Sequence, residues 1–271
     1  MTSLLTTAED VLSMFKVTRR ARVEYETWAN SDRRKHTVVP HVLAHRTRFL
    51  YEVRPEDVER IRDLHDDKEH ALGQIQRRAG EAVKDIVNWE PDYAFVHTFH
   101  YILESTGRVP TWQEFRWQCF SDLRAKAMLW DPAQELRDKL GPEGWSRDQT
   151  YESMRWRVGN YYYSFLRELH VIAVLREQGI DVRFHPLADA LFRVDAWWQR
   201  TAISLYVGNP KFKMSGAAGR KPLAEEILGG ASPPFNFETI ELPPAERYGI
   251  AYLISRANIH KIGERLLRSQ R

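Results

Sequence analysis

The chain has 271 residues, 43% hydrophobic and 28% charged, which suffices for one large core or two modest ones. Its formal net charge is only +3, carried mostly by arginine, the cation suited to bidentate phosphate contacts, so nucleic acid is favoured only weakly. The single cysteine, Cys119, excludes an internal disulfide and a cysteine-rich zinc site. The opening residues lack the pattern of a secretory leader, and no apolar run approaches the roughly 18 residues of a membrane helix. The expectation is a soluble, cytoplasmic protein with no membrane partner.

Thr7, followed by Glu9 and Asp10, reads as the N-cap of a helix that the spacing carries to Asn30. Residues 33–53 hold short β-branched and aromatic runs broken by Pro40, the pattern of a small hairpin. From Pro55 to Trp89 a charged segment keeps a narrow apolar stripe (Val58, Ile61, Leu64, Leu72, Ile75 and Val83), which predicts a long or broken helix. Over 91–129 one helix ends at Gly107 and a second begins at Thr111, with Glu114 in capping-box register. Two readings of that pair stand. It is a helix-turn-helix-like reader with Arg116, Arg124 and Lys126 near phosphates, or a helical hairpin packed through Trp112, Phe115, Trp117, Phe120 and Leu123. Pro132, Gly141, Pro142 and Gly144 punctuate 131–150 and mark it as a linker.

Beyond the linker the composition changes. An aromatic-rich helix runs to Gly179, strand-like runs follow at 180–186, 191–198, 201–208, 237–242 and 249–255, and a helix closes the chain over 257–271. The fold class expected is α/β: a mainly helical part over 1–145, then an α/β domain with a central mixed sheet over 150–271.

Within the second part, Asp195 sits between Val194 and the pair Trp197 and Trp198, in a segment patterned for burial. A buried carboxylate is costly unless paired, hydrogen bonded or bound to a metal. Glu168 in the preceding helix, Arg193-Val194-Asp195 in one strand and Gly208 closing the next resemble the core of the PD-(D/E)XK nuclease superfamily, nearest to its very-short-patch-repair-like branch. The resemblance covers residues 160–268 and implies a restriction-endonuclease-like domain that binds DNA, with RNA as the second candidate. Ser204 stands where that pattern has an acid, and Tyr206 where it has lysine or a second acid. A hydrolytic Mg²⁺ site takes one or two carboxylates besides phosphate, so this departure leaves the metal site short of negative charge.

Three functions follow. The first is a nucleic-acid-binding protein with a nuclease-like domain, an incomplete metal site and no required cofactor. The second is a metal-dependent endonuclease in which Glu168 and Asp195 bind Mg²⁺ or Mn²⁺ and Lys211 or Lys213 assists. The third is a structural or assembly subunit that binds a protein partner or a second copy of itself. Lys211, Lys213, Arg220 and Lys221, in a Gly-containing loop free of acids over 209–222, are candidate phosphate contacts beside Arg193, Arg116 and Arg124. The bland alternatives are a solvated loop, a Glu168 ion pair with Arg167, and an Asp195 pairing with Arg193 or Arg183. His97, His100 and Glu104 fall on one helical face, but interleaved Phe95, Phe99 and Ile102 favour packing over metal ligation. Tyr161, Tyr162, Tyr163, Trp156, Trp197 and Trp198 read as a packing seam ahead of base-stacking residues. No nucleophile elbow, zinc-protease signature or dinucleotide fingerprint is present, and Pro222 after Lys221 breaks any P-loop.

Overall fold

The computed structural model describes residues 4–63, 70–207, 223–242 and 253–268. Strand β1 (Thr6–Thr7) leads into helices α1 (Ala8–Phe15), α2 (Arg19–Ala29) and α3 (Val38–Ala44), strand β2 (Arg46–Thr47) and a 3-10 turn at Phe49–Glu52. Helices α4 (Pro55–Asp63), α5 (Arg77–Gly80), α6 (Lys84–Val87), α7 (Phe95–Thr106) and α8 (Trp112–Ser121) follow. The short α9 (Leu123–Ala125) passes through a π-helical turn at Lys126–Trp130 into α10 (Asp131–Leu140). Then come the long α11 (Arg147–Glu177), α12 (Pro186–Phe192), the hairpin β3 (Ala196–Trp198) and β4 (Thr201–Val207), α13 (Ala224–Leu228), β5 (Asn236–Leu242) and α14 (Arg256–Arg268). The described residues are mixed α/β, 62% helical, with a small mixed sheet of three strands.

Two compact units divide it, and they do not follow the expected cut near 145–150. One, the sheet unit, joins 4–54 to 168–242 and 253–268; the other, the helical unit, comprises 55–63 and 70–167. The N-terminal segment belongs with the sheet because it supplies part of that core. Phe15 packs on Phe192, Trp197 and Phe235 at centroid distances of 5.8, 5.3 and 5.5 Å. Thr18 caps α2 through the Ala21 N–H and donates its hydroxyl to the Ile227 carbonyl at 2.6 Å. Tyr51 donates to the Phe184 carbonyl at 3.1 Å.

The sheet has the order β3-β4-β5, with β3 and β4 antiparallel and β4 and β5 parallel. The hairpin turns on Gln199 and Arg200, with Gln199 in the left-handed region at φ 51°. Arg183 forms an isolated antiparallel bridge to Trp197 on the other edge of β3. The expected strand at 191–198 is therefore mostly something else: Leu191 and Phe192 end α12, and pairing begins only at Ala196. The cause is local. His185 accepts the Leu187 N–H, Pro186 occupies the first turn, and Arg193 closes the helix at φ 59°. The run expected at 249–255 shows no strand at 253–255, and its remainder lies outside the described residues.

Other local expectations divide in the same way. Thr7 and Asp10 make a capping box, but the helix stops at Phe15 and restarts after Thr18. The expected hairpin at 33–53 is helix α3 plus a two-residue strand that pairs with β1. Pro40 is tolerated because it falls in the first turn of α3, where the missing N–H costs no helical bond. The segment from Pro55 is a broken helix. The expected linker is largely α10, started by Pro132 and anchored by buried Ala133 and Leu140.

In the helical unit, α7 ends at Gly107 (φ 61°) and α8 starts with the Thr111–Glu114 capping box. Phe99 meets Phe115 at 4.6 Å and Phe165 at 5.2 Å, and Tyr162, wholly buried, donates to the Pro110 carbonyl at 2.8 Å. Trp117, Phe120 and Leu123, expected to pack, are exposed. His97 and His100 are buried among rings: His97 stacks on Tyr93, and His100 meets the edge of Phe165. Among the described residues no helix is long and apolar enough to cross a membrane.

Candidate functional site

Asp195 lies just before β3, and its position follows from the ladder. Ala196 pairs with Ile203, so one step further places Asp195 across from Ser204, but there the β3 pairing ends. The Leu205 N–H of β4 would then lack a strand partner on that edge; it donates instead to Oδ2 of Asp195 at 2.5 Å. The carboxylate thus continues the ladder by one bond, satisfying a backbone donor that is costly to leave unpaired. Ser204 points its hydroxyl at the Arg193 carbonyl, 3.4 Å away.

Two more carboxyls join it. Glu168 projects from α11, and Asp189 from the first turn of α12, where its side chain hydrogen bonds to that of Asp195. All three are half-buried and belong to the sheet unit. A hydrogen bond between two carboxyls requires a proton on one of them. Desolvation first, then the Asp189 and Asp195 charges, hold the Glu168 carboxyl well above the usual carboxylate range. Desolvation and then Asp189 push Asp195 up in the same way, opposed by the Leu205 N–H and the Arg193 charge. The three acids therefore form a cluster of like groups that favours the protonated forms of Glu168 and Asp195, offset by one arginine.

Arg193 is the cation nearest in role: its left-handed backbone turns the chain from α12 toward β3, and its Nε is buried with no acceptor among the described residues. Arg183 is not a partner of Asp195, since it pairs with Asp181 at 2.8 Å. Arg116 and Arg124 are exposed in the helical unit, on α8 and α9. Lys211, Lys213, Arg220 and Lys221 lie outside the described residues, as does the side chain of Tyr206.

The donor chemistry of Glu168, Asp189 and Asp195 suits a hard divalent cation such as Mg²⁺ or Mn²⁺. Their arrangement does not: among the described residues no group of three His, Cys, Asp or Glu side chains is placed to hold a metal ion. Asp189 went unnoticed in the sequence because 186–192 was divided between a loop and a strand. His185-Pro186 followed by an acid in the first turn was the signal for a helix that would bring that acid inward.

The fold and the cluster together define a mixed α/β protein with a protonated acidic site beside an arginine. No protein-family model matches the chain, and no curated protein or solved structure matches it either.

Proposed function

We propose that the protein binds nucleic acid, DNA ahead of RNA, through a restriction-endonuclease-like domain whose metal site lacks the acid on β4. The observation that carries this is the Asp195–Leu205 clip with Ser204 across from Asp195. It brings an acid and a neutral hydroxyl to the point where the PD-(D/E)XK pattern calls for two acids. The order α11, bridge at Arg183, α12, β3, β4, α13, β5 supports the same reading, with α12 inserted ahead of β3. Arg193 beside the cluster and the four cations Lys211, Lys213, Arg220 and Lys221, which lie outside the described residues, are the phosphate contacts of this reading.

The test is fluorescence anisotropy with labelled duplex and single-stranded DNA over a salt series. Four loop cations on phosphates give a log–log salt slope of roughly −3.6 for duplex DNA from those contacts. Replacing Lys211, Lys213, Arg220 and Lys221 by Ala should remove most of that slope. Absence of binding at low salt, or a slope unchanged in the fourfold variant, would overturn the proposal.

One observation favours a second reading, that of an active metal-dependent endonuclease. Asp189 brings a third carboxyl beside Asp195 that the β4 departure alone would not suggest, although the three as they stand are not placed to hold a metal ion. Cleavage of DNA or RNA in Mg²⁺ or Mn²⁺, lost in Asp195→Ala, would establish it.

A further inference from the structure

We propose that the helical unit holds a pocket for a small organic anion with an apolar body, an aromatic or branched aliphatic carboxylate. A cavity of about 110 Å³ lies between α8, α10 and the first half of α11, all within that unit. Its walls are apolar, from Trp112, Phe115, Leu129 and Val158. A closed apolar cavity of about 150 Å³ takes benzene; this one is smaller but open on one side, so a single ring or a short branched chain can enter it with its polar group left at the mouth.

Charge decides the polar group. Arg116, Arg137 and Arg155 line the cavity, with no acidic residue among the described lining; the Arg155 guanidinium is already held by the Ala71 and His70 carbonyls, so Arg116 and Arg137 supply the charge. Arg116 and Tyr151 are exposed at its edge, and the Arg137 guanidinium stacks over the Tyr151 ring with 5.5 Å to the centroid. Arg137 is further held by Gln134 Oε1 at 3.1 Å. Two buried donors on lining residues have no acceptor among the described residues: the indole N–H of Trp112, a side chain only 3% exposed, and the Nε–H of Arg137. Unpaired buried donors are costly, and an anionic acceptor within reach of either one would relieve it. Cys119 adds no charge, since burial, then Asp122, push its thiol far up and keep it protonated. A cationic ligand would meet only arginine, and a neutral hydrocarbon would leave the donors unpaired.

Calorimetric titration of the whole chain with phenylacetate, toluene and benzylammonium tests this. Phenylacetate is expected to bind with one site, toluene at least tenfold more weakly, and benzylammonium not at all. Arg137→Gln should weaken phenylacetate by about tenfold or more through loss of a charge-assisted bond. Ala133→Phe should fill the cavity and abolish binding. Circular dichroism checks that each variant is folded; if Ala133→Phe is not, the ligand series and Arg137→Gln decide. No phenylacetate binding at millimolar concentration would overturn the proposal. So would benzylammonium or toluene binding as tightly as phenylacetate, unchanged affinity in folded Arg137→Gln, or binding that survives in folded Ala133→Phe.

Discussion

Asp195→Asn should stabilise the protein at neutral pH, against the usual cost of altering a half-buried polar side chain. The amide oxygen can still accept from the Leu205 N–H, and the amide NH₂ can donate to Asp189 in place of the shared proton. What disappears is one member of a like-charged cluster. Two unit charges about 4 Å apart at an effective dielectric near 20 repel by roughly 4 kcal/mol. Solvent access to half-buried groups and retained protons reduce this to about 1–2 kcal/mol. A carboxyl whose folded pKa is raised binds more protons folded than unfolded, so its contribution is favourable in acid and is lost as pH climbs through the folded pKa. The advantage of Asn over Asp should therefore grow from near zero at about pH 3.5, below the ordinary carboxylate range, toward neutrality. Urea unfolding of both proteins across that range measures it. Destabilisation by Asn at pH 7 that shrinks in acid would mean that Asp195 is held as an ion-paired carboxylate by Arg193, not as a member of a like-charged cluster.

Other expected outcomes rest on separate features. Burial lowers His185 from the ordinary 6.5 to about 4, against the opposing His45 carbonyl bond and Asp10 charge, so it is neutral when folded. Its stability contribution is complete above pH 6.5 and is lost as pH falls toward 4, by about 3 kcal/mol; His185→Gln should flatten that part of the stability–pH curve, and an unchanged slope would speak against it. Gly80→Ala would set a Cβ 2.2 Å from Cγ of Trp156, so overpacking should lower stability by roughly 1–3 kcal/mol or more, and an unaltered melting curve would show that the ring can yield. Ser204→Glu places an acid across from Asp195 and should tighten Mn²⁺ binding by about tenfold or more in calorimetry; no gain would mean the site is not short of charge at that position.

Local chemistry was readable in the sequence where neighbours decide the outcome. The Thr7–Asp10 and Thr111–Glu114 boxes and the Gly107 stop need only residues three or four apart, and each is present. Asp195 stood out because an acid broke an apolar strand pattern, and its partner proved to be a backbone N–H ten residues away together with other acids. What escaped was set by tertiary packing. The two-residue β1–β2 pair offers no pattern to read, and α12 is seven residues whose cap is a histidine. Phe15 gives no sign in the sequence that its partners are Phe192, Trp197 and Phe235, so the N-terminal segment was assigned to the wrong unit. Trp117, Phe120 and Leu123 show the converse: their size and apolar character predict a core position, yet they lie at the surface.

The most direct test places labelled duplex DNA, single-stranded DNA and RNA with the protein in Mg²⁺ or Mn²⁺, and reads the bound and intact fractions from the same tubes. A nuclease-like domain one acid short should give retained, salt-sensitive binding to duplex DNA with the strands left whole. Failure to bind any of the three, or scission that vanishes with Asp195→Ala, would show that the site does something else.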